Sequence, residues 1–146
     1  MATTRDFLSP QDEQEIVQAI TDAEKGSSGE IRVHIETNSN KEPLERAKEV
    51  FFELGMDKTK DRNGVLFYIC INSRFFVILG DEGIDKKVQN ENFWEGTREL
   101  VINHFKQEKY KEGLILGITK AGKKLQLLFP DTSSSNNELP NEISKG

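Results

Sequence analysis

Apolar and polar positions follow two periods along this chain. From Glu30 to Glu36 the period is two: Ile31, Val33 and Ile35 point one way and Arg32, His34 and Glu36 the other, as in a strand with one polar face. Before it, Ile16, Val17, Ile20 and Ala23 recur at helical spacing. Ser9 is placed to cap that helix, Pro10 suits its first position, Asp12 and Glu13 suit its positive end, and Gly26 stops it. After the strand, Leu44, Ala47, Val50, Phe51 and Leu54 define a second helix, with Ser39 or Asn40 as cap and Gly55 as a left-handed stop. Val65 to Ile71 is apolar without a break, which marks a strand covered on both faces. Asn72-Ser73 turns the chain, and Arg74 to Leu79 returns as the second arm of a hairpin, broken by Gly80-Asp81-Glu82-Gly83.

The second half reads as helical. Ile84 to Val88 suits a short helix. A longer one opens at Glu91 or Asn92 and runs to about Lys106, burying Phe93, Trp94, Leu100, Val101 and Phe105. Residues 110–129 support two readings. Tyr110, Leu114, Gly117, Ile118, Ala121, Leu125 and Leu128 keep a helical period, while Gly113, Gly117 and Gly122 each weaken a helix by ~1 kcal/mol relative to Ala. The rival is a hairpin turning at Lys120-Ala121-Gly122. The helix is favoured, with Gly113 and Gly117 as a flat stripe that brings it close to the sheet. Residues 131–146 are polar and rich in Ser and Asn, so a disordered tail is expected, as is a flexible N-terminus over residues 1–6. That leaves one domain over 7–130. Strand, helix, strand makes the first two strands parallel, and the hairpin makes the third antiparallel: an α/β domain on a small mixed sheet of three strands, with room for a fourth.

Composition narrows the classes. The chain has 146 residues, enough for one domain. Hydrophobic residues make up 35%, charged residues 31%, and mean hydropathy is −0.61, which excludes a membrane-embedded protein or a collagen. The net charge of −5 disfavours nucleic-acid binding and suits cations better. Cys70 stands alone, so no intramolecular disulfide can form. No apolar run approaches the ~20 residues that span a bilayer, and the first residues lack a signal-peptide core; a cytoplasmic monomer without membrane contact is expected.

The topology brings acids together. The start of the second strand (Asp61-Arg62-Asn63-Gly64), the end of the third (Gly80 to Asp85) and the start of the first share one sheet edge. Asp61, Asn63, Asp81, Glu82 and Asp85 are therefore candidate ligands for Ca²⁺ or Mg²⁺, which take carboxylate and amide oxygens from flexible loops. The competing reading is that these acids are solvated turn formers. Two near misses carry nothing. Thr59 to Cys70 has the wrong residues at both ends of an EF-hand loop, and Gly117 to Lys124 ends in Lys where a phosphate loop needs Ser or Thr. His34 and His104 read as half-buried or surface residues.

In order, the strings SSGEIRVHIE, ERAKEVFFELGM, DRNGVLFYICINSRFFVILGDEGID and KYKEGLILGITKAGKKL resemble the TPM domain family over about residues 7–130. The matching features are Gly29 to Val33, Gly55, Asn63 to Leu66, Arg74 and Gly80 to Asp85. The resemblance implies a three-layer α/β/α sandwich, divalent-cation binding at the acidic loops, and the acid phosphatase activity reported for a thylakoid member linked to photosystem II repair. The family's Asp-Asn-Gly reads Asp61-Arg62-Asn63-Gly64 here, and its Gly-Tyr-Gly-Leu-Glu loop is one residue longer and more acidic. Two functions follow as expectations. One is a cation-binding domain with phosphatase activity as its family-implied chemistry. The other is a non-catalytic module whose acidic loops contact a partner protein.

Overall fold

The structure is a computed structural model that describes residues 7–89, 92–131 and 139–146. Helix α1 (Pro10–Ala23) is capped by Ser9 as expected, and Asp12 completes a capping box, Ser9 and Asp12 each accepting the other's backbone N–H at 3.1 Å. Strand β1 (Glu30–Glu36), α2 (Pro43–Glu53), a 3₁₀ turn (Met56–Lys58), β2 (Gly64–Cys70) and β3 (Phe75–Gly80) follow. Then come α3 (Glu82–Val88), α4 (Glu95–Phe105), α5 (Tyr110–Leu128) and a two-residue β4 (Ser144–Lys145). The sheet order is β3-β2-β1-β4, with β1 parallel to both β2 and β4 and β2 antiparallel to β3.

The period-two pattern of β1 sorts the layers. Ile31, Val33 and Ile35, with Val65, Phe67 and Ile69 of β2, pack under α1, α4 and α5. Full burial of each such side chain stabilises by ~1.5–3 kcal/mol. The other face of β2, Leu66, Tyr68 and Cys70, packs under Ala47, Val50 and Phe51 of α2. The result is the expected α/β/α sandwich on a mixed sheet. Residues 110–129 take the helical reading. Gly117 is the point of close approach, since a Cβ there would lie 3.1 Å from the Phe67 ring and 2.5 Å from Val101. Gly113 instead fits against His104 and Val101 of α4, so the stripe serves a helix neighbour as much as the sheet.

Three local expectations need correction. The second helix is capped by Glu42, not Ser39 or Asn40, because Pro43 takes the first helical position and the Glu42 carboxylate accepts the Glu45 N–H; Leu44 is exposed. Helix α4 opens later than expected: Phe93 and Trp94 lie in a turn before Glu95, and Glu91 lies outside the described residues. The largest difference is the C-terminal segment. Residues 1–6 and 132–138 lie outside the described residues, but 139–146 are not a free tail. Leu139 is buried, its N–H donates to Glu30 Oε1 at 3.0 Å, and β4 pairs with β1 at His34 and Ile35. The segment docks because β1 leaves that edge unpaired and presents polar groups that need partners.

Candidate functional site

His34 and Glu36 on the polar face of β1 are buried, not half-solvated, while Arg32 is half-buried. His34 donates or accepts at Ser144 Oγ (3.0 Å) and Glu36 Oε1 (2.9 Å), and Glu36 also accepts from Tyr68 and from Arg46 Nε at 3.2 Å. Burial lowers the His34 pKa, so the ring favours its neutral form. Burial works against the Glu36 charge, but donors from Tyr68, His34 and Arg46 outweigh it and hold the carboxyl below its ordinary range. His34 and Glu36 are thus satisfied structural groups.

The acidic loops meet at the amino ends of β1 and β2. Gly83 holds them together. Its N–H donates to the Arg62 carbonyl at 2.8 Å, and a Cβ there would lie 2.5 Å from that oxygen and closer still to that of Asp61. Only glycine permits this approach. Asp81 N–H adds a bond to Gly64 O at 3.0 Å.

The five predicted ligands do not converge as a set. Asp81 is buried, caps α3 through the Glu82 N–H (2.8 Å), and takes the Arg62 guanidinium at 2.8 and 3.2 Å. Arg62 also reaches Glu82 at 3.1 Å. Asn63 spends its amide on Ser28 Oγ at 3.0 Å, and that hydroxyl donates to Asp61 at 2.8 Å. Asp85 is exposed and does not line the cleft. Asp61 and Glu82 do, in a cleft of about 530 Å³ that also holds Ser28, Asp131 and the bases Lys60, Arg62, Lys86 and Lys87. Among the described residues, no three His, Cys, Asp or Glu side chains are grouped closely enough to hold a metal ion. The cleft is therefore mixed in charge, with Arg62 seated where a cation between Asp81 and Glu82 would sit. Arg62 adopts φ 49°, a left-handed conformation that no local pattern announces, and this is why sequence reasoning missed its role. Glu30 does not join these acids; it is buried against Leu139.

An α/β/α sandwich with glycine-tied loops at one sheet edge defines the structural class. The TPM domain sequence profile matches residues 2–124, so the chain belongs to the TPM domain family. It is similar to the BA42 protein of the psychrophilic bacterium Bizionia argentinensis, solved by NMR, at 47% identity over 100% of both chains with a TM-score of 0.91. It also shares its fold with the N-terminal domain of a P. gingivalis protein, at 17% identity over 86% of this chain and 78% of that one, TM-score 0.65. No curated protein matches. Among the described residues no helix is long and apolar enough to cross a membrane.

Proposed function

We propose that this TPM domain binds a divalent cation, Ca²⁺ or Mg²⁺, in the cleft at the amino ends of β1 and β2. The observation that carries the reading is the Gly83 junction, which sets Asp61 and Glu82 on the walls of one cleft. Asp61 and Glu82 supply the charged donors, with Ser28 and backbone carbonyls as neutral ones. Asp81 and Asn63 join only if Arg62 and Ser28 release them, and Asp85 lies outside. Three carboxylates (Asp61, Glu82 and Asp131) beside four bases make a weak site, in the ~10⁻⁴–10⁻³ M range at the weak end of calcium-binding modules. Phosphatase activity rests on the family resemblance, with Lys60, Arg62, Lys86 and Lys87 as groups suited to a phosphate ester. The reading carries with it a cytoplasmic, monomeric protein.

Titration of Ca²⁺ and Mg²⁺ into metal-free protein, followed by backbone amide shifts, tests it. Saturable shifts confined to residues 59–64 and 80–86 are expected, and silence at millimolar cation sinks it. Phosphate release from an aryl phosphate that vanishes in Asp61→Asn would add the catalytic part. A second reading has its own support. Arg62 already neutralises Asp81 and Glu82, as fits a non-catalytic module whose loops meet a protein partner.

A further inference from the structure

The opposite end of the sheet holds a second and larger cavity, about 860 Å³, at the carboxyl end of β2 and the amino end of its return strand β3. Open α/β sheets place their ligand crevices outside the carboxyl ends of their strands. One wall is aromatic. Phe7 stacks on Tyr110 with centroids 4.3 Å apart, and Phe105 meets Phe7, Phe76 and Tyr110 edge-on at 5.5–5.6 Å. Such an array presents flat apolar surface and ring edges to a planar guest.

The charged residues of the lining are mostly basic, in a chain whose net charge is −5. Arg74, Arg98 and Lys106 line the cavity against one carboxylate, Glu108. Arg98 Nε donates to the Phe76 carbonyl at 3.1 Å, which anchors its guanidinium on the wall. Among the described residues none of the three bases forms an ion pair, whereas Arg46, Arg62 and Lys111 elsewhere all do. Helix α5 also starts here, at Lys109, with no side chain capping its first N–H groups. Two of the cavity's residues, Arg74 and Glu108, hold left-handed backbone at φ 52° and 60°, a cost that clusters at ligand sites.

We propose that this cavity binds a small organic anion with a flat aromatic body. The ring lies on the Phe7, Phe105 and Tyr110 wall, and a carboxylate, sulfonate or phosphate head faces Arg74, Arg98 and Lys106. This site is independent of the cation reading and lies at the other end of the strands.

The probe is 8-anilinonaphthalene-1-sulfonate, with N-phenyl-1-naphthylamine as the matched ring system without the anion, on the full chain. One saturable sulfonate site is expected, with amide shifts at residues 75–76 and 102–110. Arg74→Gln and Lys106→Gln should each weaken sulfonate binding by about fivefold, the upper range for one exposed charge. Neither side chain forms an ion pair or hydrogen bond among the described residues, so the thermal midpoint should stay unchanged. The uncharged probe should bind more weakly and ignore both substitutions. Displacement by benzoate against phenyl phosphate then assigns the head group. Equal affinity in wild type and both variants overturns the proposal, as does shift mapping to any other surface. A dimer that dissociates in the variants would also overturn it, making a second copy the occupant.

Discussion

The two ends of one sheet carry opposite solutions to placing charge. At the amino ends of β1 and β2, charges are paired: Arg62 spans Asp81 and Glu82, Ser28 spans Asp61 and Asn63, and glycine lets the loops touch through their backbones. At the carboxyl end of β2, three bases stand without an ion-pair partner among the described residues, over a wall of aromatic rings. A paired site is stable when empty, and a ligand must compete with internal bonds. An unpaired site already bears the cost of like charges held together, so an anion gains from it directly. The chain's acidity hides this, because net charge averages over both ends.

The comparison breaks most easily at Gly83. Gly83→Ala drives a methyl into the carbonyls of Asp61 and Arg62, and overpacking against backbone should cost about 2–3 kcal/mol in urea unfolding. It should also abolish cation shifts while leaving the aromatic cavity intact. Gly96→Ala is the control, since its Cβ meets only Lys120 Nζ at 3.9 Å; it should stabilise α4 by up to ~1 kcal/mol. A Gly83→Ala protein with the wild-type urea midpoint would remove the loop junction from the argument.

The next effect is one of pH, and it belongs to the amino end alone. Glu24 accepts the Ile31 N–H at 2.8 Å, and burial pushes its carboxyl up to about 7. The folded chain keeps this proton up to near pH 7, while the unfolded chain releases it near the ordinary 4.5. The stability it contributes is full below pH 4.5 and is lost as pH rises towards 7. Glu24→Gln keeps the acceptor without the charge, so the variant should gain roughly 2 kcal/mol over wild type at pH 8 and nothing at pH 4. A pH-independent difference between the two proteins would contradict the burial argument.

The smallest effect sharpens the contrast. Arg62→Gln removes the guanidinium from Asp81 and Glu82 and should tighten Ca²⁺ binding about three- to fivefold by calorimetry, since a competing partly exposed ion pair is worth no more than ~1 kcal/mol. Sulfonate binding at the other end should not change. Weaker Ca²⁺ binding in this variant would mean that Arg62 organises the loops and does not compete with the metal.

Elements with an internal period were legible from residues alone. The cap at Ser9, the alternation of β1, the unbroken β2 and the hairpin to β3 each encode their geometry within a few residues of themselves. So did the placing of Asp61 and Asp81 at one sheet edge, because parallel β1–β2 and antiparallel β2–β3 leave no other arrangement. Helix α5 was legible by its period, although three glycines argued against it. Those glycines make sense only against Val101, Phe67 and Ala23, which are distant in sequence.

What side chains do at each edge depended on contacts across the chain. Nothing local says that Arg62 turns through a left-handed backbone onto Asp81, or that Leu139 returns to cover Glu30, 109 residues away. His34 and Glu36 look solvent-facing in an alternating strand, yet β4 and Arg46 seal them in. Composition marked residues 131–146 as tail because it weighs apolar content and cannot weigh an unpaired strand edge. Local pattern governs the elements because backbone hydrogen bonding and side-chain period act over a few residues. Pairing of charges, burial of polar groups and the two ligand clefts are decided by tertiary packing, because each requires atoms that only folding brings within hydrogen-bond distance.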